Sequence, residues 1–310
     1  MQFKRIKRRV DGVLLLDKPV GISSNSALQK AKILYQAAKA GHTGNLDPVA
    51  SGLLPLCFGE ATKFSQYLLD ADKIYQAEFT LGQTTTTGDA EGEVTGSSPV
   101  NVTQRDIELV LQRFTGAISQ VPPMYSALKF QGKALYHYAR AGVEIERQAR
   151  AVTIYSLTPS SFDGTRLRVR VKCSKGTYIR VLAEDIGRAL GCGAFMSALR
   201  RTGTSNFDIA DALTLGQLGE MSAAQRDAIL LPADVLVTAL PKVVLDEDSA
   251  YYLKRGNPVW VARQKERGTV RLYDDKEIFL GVGEILDDGK VAPRRLLVET
   301  REGGGVRGEA

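Results

Sequence analysis

Two stretches of this chain alternate strictly between apolar and polar residues, and they limit the fold more than any other feature. Over residues 73–81, Tyr75, Ala77, Phe79 and Leu81 alternate with Gln76, Glu78 and Thr80. Over residues 166–174, Leu167, Val169, Val171 and Cys173 face one way while Arg168, Arg170 and Lys172 face the other. A period of two belongs to strands with one covered face and one wet face. The second strand therefore gives its sheet a basic face, and the first points Tyr75 with the core. A tyrosine so placed is, on its own, more often a packing residue than a catalytic one.

The remaining pattern mixes helices and short strands. An apolar run at 13–16, bounded by Asp17, Lys18, Pro19 and Gly21, predicts a buried strand that leaves Lys18 at its end. Ser23 or Ser24 is placed to cap a helix whose stripe is Ala27, Leu28, Ala31, Leu34, Tyr35 and Ala38. A short helix is expected over 60–69 and a Thr- and Gly-rich loop over 83–100. Thr103 opens a helix with Asp106 three residues on, and a further helix is expected over 178–190, with Tyr178 and Arg180 in its first turn and Gly191 past its end. Helix-forming stretches at 212–219 and 222–230 lead to an expected domain boundary around 231–241. Beyond it, strands at 258–262, 270–273, 278–285 and 296–299 suggest a β module of roughly 60 residues, near the lower limit for independent folding, and the tail at 303–310 reads as mobile.

With 310 residues, 44% of them hydrophobic, the chain is long enough for one large core and a smaller module. No apolar run approaches the roughly 20 residues of a membrane span, and the basic start MQFKRIKRRV lacks the apolar stretch of a secretory signal, so a cytoplasmic protein is expected. Cys57, Cys173 and Cys192 lie far apart, without a CxxC pair, and read as core thiols. Two histidines, His42 and His137, do not furnish a metal site of the usual His or Cys type, which leaves only an all-carboxylate Mg²⁺ site open. The net charge of +6 is clustered: Lys4, Arg5, Lys7, Arg8 and Arg9 open the chain, and Lys129, Lys133, Arg140, Arg147 and Arg150 fall together. Such runs are usually solvated faces. Tyr125, Tyr136 and Tyr138, mixed into the second cluster, favour an RNA-binding surface instead, on an exposed excursion over 121–150 with a short helix around 133–141.

The segment GHTGNLDPVASGLLPLCFGEATKF, residues 41–64, places one carboxylate, Asp47, in a loop pinned by Gly41, Gly44, Pro48 and Gly52 ahead of an apolar run. Two readings stay open. Asp47 is either a turn residue capping nearby amides or a carboxylate held at a pocket mouth to act as nucleophile or base.

Five motifs point further: DKPVGISS at 17–24, the 41–64 segment, KIYQAEFTLG at 73–82, PPMYSALK at 122–129 and CSKGTYIRVLAEDIG at 173–187. In these the chain resembles the bacterial tRNA pseudouridine synthase B (TruB) family, which isomerises the uridine at position 55 in the T loop of tRNA. The resemblance implies an α+β fold: a catalytic domain built on a curved, mixed but mostly antiparallel sheet over residues 1–243, then a small PUA-like RNA-binding β domain over 244–310. It implies Asp47, Tyr75 and Arg180 as catalytic residues, with Arg180 the counter-ion of Asp47. His42, Tyr75, Tyr178, Leu199, Lys18, Lys129, Lys133 and Arg140 are the implied substrate-binding residues, Leu199 lining the uracil pocket and Lys18 also supporting the catalytic loop. No cofactor and no metal are implied, the partner is tRNA, and a monomer without an obligate protein partner is expected. Asn45 and His137 depart from the residues usual in the family. Two other readings compete: a metal-dependent nuclease using Asp47 with Asp89 or Glu91, and a non-enzymatic RNA-binding protein.

Overall fold

The computed structural model describes residues 7–261 and 267–298, so Lys4, Arg5, Ala262, Glu299 and the tail at 303–310 lie outside the described residues. The two alternating stretches are neighbours in one sheet. Strand Arg166–Cys173 runs antiparallel to Lys73–Leu81, with Val171 opposite Tyr75, Val169 opposite Ala77 and Arg170 opposite Gln76. Residues directly opposite share a face. Tyr75 therefore lies on the covered face, and the basic row lies on the other.

That sheet has ten strands among the described residues. Its main path runs Leu213–Thr214, Gly12–Lys18, Ala50–Phe58, Ala194–Thr204, Lys73–Leu81, Arg166–Cys173, Arg150–Phe162 and Gly116–Gln120. Along it, two pairings are parallel and the rest antiparallel. Strand Ala50–Phe58 is covered on both faces, which is why its sequence is continuously apolar instead of alternating. Pro55 fits because it falls between the stretch paired with residues 199–201 and the stretch paired with Ala40–His42, where no second strand requires its missing N–H.

One face packs Leu14, Leu16, Leu54, Leu56, Phe79, Leu167 and Val169 into the main core, to which helices Ser24–Leu34, Gln104–Arg113 and Ile179–Ala189 add Leu28, Ile107 and Leu182. Ser23 caps the first helix, a Thr103–Asp106 capping box starts the second, and the first ends at Leu34, so Ala38 lies beyond it. The opposite face is covered only over its first strands, where Val13, Leu15, Leu53 and Cys57 pack with Phe64, Leu68, Leu236, Val237 and Val282. The stretch at 231–241 is thus partly buried packing as well as a connection. The second module is a five-stranded sheet: Lys242–Val244, Gly268–Tyr273, Phe279–Ile285, Lys290–Leu296 and Val259–Trp260.

Several sequence expectations shift. Residues 83–100 hold a hairpin, Gln83–Thr85 with Val94–Ser97, within the expected loop. The strand expected at 296–299 is Lys290–Leu296, its pattern obscured by Pro293, Arg294 and Arg295. Strands Arg150–Phe162 and Ala194–Thr204 have no clean alternation because each carries two register shifts, and every bulge reverses which residues face inward. Among the described residues no helix is long and apolar enough to cross a membrane. All three cysteines are free and buried.

Candidate active site

The loop from Thr43 to Val49 is fixed from several sides. Ser24 Oγ receives the Leu46 amide at 2.8 Å and lies 3.1 Å from the Leu46 carbonyl, to which it donates in turn. The amide of Gly21 donates to Pro48 O at 2.8 Å and that of Ala50 to Asp47 O at 3.0 Å. Behind the loop, Gly52 has φ +102°, and a Cβ there would stand 2.2 Å from the Arg201 carbonyl, so only glycine lets these strands approach. All of these bonds use the Asp47 backbone or its neighbours. The carboxylate itself caps no amide among the described residues; it meets Arg180 Nη2 at 3.0 Å and keeps 43% of its side chain exposed. That geometry removes the turn-capping reading.

Arg180 is buried in the first turn of helix Ile179–Ala189. Its guanidinium donates to Thr87 O at 3.2 Å and Tyr125 O at 2.7 Å, and its Nε lies 3.5 Å from Asp89 Oδ2. One side chain thereby ties the Asp47 loop, the hairpin loop and the base of the 121–150 excursion to the helix. Asp89 is buried and its Oδ1 accepts from Thr87 Oγ1 at 2.6 Å and the Glu91 amide at 3.0 Å. Arg180 thus stands between Asp47 and Asp89, filling the place where the nuclease reading needs a cation, and Glu91 is exposed.

Lys18 calls for a correction. It is fully buried, and its Nζ donates to Pro19 O at 2.8 Å and Ile22 O at 2.7 Å. It holds the backbone beneath the loop and presents no exposed surface of its own to a substrate. Burial pulls its pKa down to about 8, against the upward pull of Asp47 and with a further downward push from Arg201.

Tyr75 is buried, with Val171 opposite it on one neighbouring strand and Arg201 on the other. Burial raises its phenol pKa, while the Arg201 charge works against that rise. Leu199, on the same face, is half-buried between Ala50 and Ala77. Tyr178 is the N-cap of the Arg180 helix; its amide donates to Gln120 Oε1 at 3.0 Å and its carbonyl accepts from Gln120 Nε2 at 3.3 Å. Burial raises the Tyr178 phenol as well. Burial also lowers the His42 pKa, which favours the neutral ring, and its Nδ1 is buried without a partner among the described residues.

The excursion at 121–150 is exposed over most of its length, with strands Lys129–Phe130 and Lys133–Ala134 and helix Leu135–Arg140. Lys133 sits 5.1 Å over the Tyr138 ring and Arg140 5.6 Å over Tyr136. Arg147 is held by Glu144 at 3.0 Å. Lys129, Lys133 and Arg140 are exposed, and none of them hydrogen-bonds or ion-pairs with Asp47 or Arg180 among the described residues. His137 stacks on Tyr136, ring centroids 4.2 Å apart. Sequence reasoning missed two buried residues of the centre, Gln120, which clamps Tyr178, and Arg201, 2% exposed. In SALRRT, Arg201 looks like another surface cation, because the bulged strand hides which of its two arginines turns inward.

Comparison with known proteins gives the class of this fold, a pseudouridine synthase. A model of the TruB family pseudouridylate synthase N-terminal domain matches residues 32–179, and two C-terminal models of the same family match residues 180–238 and 241–297. The tRNA pseudouridine synthase B of Methylobacillus flagellatus is 60% identical, covering 97% of this chain and 100% of its own. That of Azoarcus sp. BH72 is 57% identical, covering 96% and 98%. Among solved structures, an H/ACA RNP bound to a substrate RNA containing 2′-deoxyuridine matches at TM-score 0.70 and 26% identity, over 93% of this chain and 85% of that one. A Cbf5-Nop10-Gar1 complex matches at 0.69 and 28%, over 93% and 84%. The chain belongs to the TruB family of pseudouridine synthases.

Proposed function

We propose that this chain converts the uridine at position 55 of the tRNA T loop to pseudouridine, acting as a monomer in the cytoplasm, with Asp47 as the nucleophile or base. The observation that carries this reading is the Asp47 carboxylate itself: rigidly held, partly open to solvent and paired with one buried arginine. The reaction breaks the C1′–N1 bond, forms C1′–C5, and moves one proton from C5 to N1, so it needs no net oxidant or reductant. It does need a group beside the sugar and a pocket that keeps the freed uracil. A uridine inside a stacked loop reaches Asp47 only by flipping out. Tyr75 and Leu199 then offer an aromatic and an aliphatic wall, Tyr178 the facing one, and neutral His42 props the vacated space. Lys129, Lys133 and Arg140, interleaved with Tyr136 and Tyr138, grip the backbone of the RNA from the excursion. The domain division follows the same logic, a catalytic unit to about residue 243 and a PUA-like unit beyond it that adds RNA contacts.

The test is tritium release from tRNA labelled at C5 of uridine, with the product position mapped. Wild-type protein should release tritium from position 55, and Asp47→Ala should release none while binding tRNA within a few-fold of wild type. Full turnover by Asp47→Ala, or product at another position, would overturn the reading.

A further inference from the structure

Arg201 has no part in the scheme above, yet it is among the largest side chains buried within the described residues. Its position is set by the sheet: on strand Ala194–Thr204 it lies directly opposite Tyr75 on one side and Gly52 on the other. Nε donates to Leu53 O at 2.7 Å. Nη1 reaches toward the Asp47 loop, 3.4 Å from where a Cβ on Gly44 would stand. Nη2 is buried with no hydrogen-bond partner among the described residues. A buried donor left unpaired is costly, and a guanidinium carries donors only. Tyr75, directly across from Arg201 on the neighbouring strand, is the tyrosine that shares that face.

From this placement we infer that Arg201 is a positioning residue for Tyr75: the guanidinium across from the phenol can only donate, so the phenol proton points away from it, toward Asp47 and the flipped base. A tyrosine beside an arginine has no acceptor to donate to on that side. Its proton is thereby aimed, and when the proton leaves, the phenolate oxygen gains the unpaired Nη2 as a donor. The fixed charge also opposes the rise that burial imposes on the phenol. Arg201 would thus prepare Tyr75 for proton transfer at the uracil without touching the RNA.

The inference rests on the role proposed for Tyr75, and a double-mutant cycle keeps the two apart. Tyr75→Phe tests the role itself: wild-type turnover would remove it, and this inference with it. If Tyr75→Phe is impaired, Arg201→Met is compared in the wild-type and Tyr75→Phe backgrounds at saturating T stem-loop RNA. The expected result is a kcat loss of about 10–100-fold for Arg201→Met with Tyr75 present, at or below the roughly 10²–10⁴-fold that losing a general acid or base costs because the phenol itself remains, shrinking to under about threefold in the Tyr75→Phe background. The RNA Kd should be unchanged, and the alkaline limb of the kcat–pH profile should move to higher pH. Equal losses in both backgrounds, or an unmoved alkaline limb, would show a structural arginine and overturn the proposal. If Arg201→Met does not fold, the cycle runs with Arg201→Lys, where equal losses in both backgrounds have the same meaning.

Discussion

The centre around Asp47 and the excursion over 121–150 both carry several positive charges, but they use them in opposite ways. At the centre, Lys18, Arg180 and Arg201 are buried, and each is fixed by backbone carbonyls: Pro19 and Ile22 for the first, Thr87 and Tyr125 for the second, Leu53 for the third. On the excursion, Lys129, Lys133 and Arg140 stand in solvent against aromatic rings or no partner that fixes them. Buried charge sets geometry and is expensive to disturb, whereas exposed charge acts over distance and is screened by salt. Substitutions in the first region should therefore change turnover and stability, and those in the second should change affinity and its salt dependence.

The largest effect is expected at Arg180. Arg180→Met leaves Asp89 buried without its cation and releases Asp47, Thr87 O and Tyr125 O together. Loss of a buried partner of this kind costs about 3–5 kcal/mol, and a single lost charge contact at a reacting centre lowers kcat by about 10²–10³-fold. Thermal unfolding and single-turnover assays would measure both. A variant that lost affinity but kept its turnover rate would place Arg180 with the excursion and break the contrast.

Next comes a pH effect confined to the buried region. Native Lys18 gives up its proton near pH 8, while the unfolded chain keeps it to the ordinary lysine value of 10.5. Across that window the unfolded state binds more protons, so this group makes stability rise with pH. Lys73, also pulled to about 8 by burial and held by the carbonyls of Leu68, Leu69 and Ala71, acts in the same direction. Burial pushes the Cys57 and Cys173 thiols up to about 12 and about 11, which opposes the lysines as the unfolded thiols ionise, so the readout is a difference: the slope of stability against pH between 8 and 10 should be lower in Lys18→Met than in wild type, read by urea denaturation at several pH values. An unchanged slope would mean that Lys18 stays charged and solvated.

On the excursion, replacing Lys129, Lys133, Arg140, Arg147 and Arg150 together with glutamine should weaken tRNA binding without lowering kcat at saturation. The slope of log K against log salt should become shallower by about 3–4 units, less than a full count of five cations because Glu144 already engages Arg147. An unchanged slope would remove the excursion from the RNA interface.

How much of this is readable from sequence depends on whether a pattern is regular. Tyr75 and the Arg166–Cys173 row are legible because uninterrupted strands keep their period. The Asp47–Arg180 pair follows from motifs, since no spacing rule joins residues so far apart in the chain. Strands Arg150–Phe162 and Ala194–Thr204 are not legible, as bulges switch their faces midway, and Arg201 is hidden inside one of them. Lys18 is misplaced among RNA contacts for a related reason: a lysine at a strand end looks exposed until the backbone curls over it and supplies carbonyls.

The smallest effect sharpens the comparison most, because it uses the same strands that carry Tyr75. Arg166, Arg170 and Lys172 project from the sheet face opposite Tyr75, into solvent. Arg168 in that row is already neutralised by Glu78 at 2.8 Å, and Lys172 lies 5.8 Å from the exposed Tyr155 ring. Serine at the three unpaired positions should leave kcat and T stem-loop affinity within about twofold and stability within about 0.5 kcal/mol. Alternation alone makes the row a basic sheet face fit for phosphate, and the register turns it away from Asp47. If intact tRNA nonetheless bound the triple variant several-fold more weakly while the isolated stem-loop did not, the polynucleotide would have to wrap around the sheet edge, and exposed charge on both sides of the catalytic domain would act in recognition.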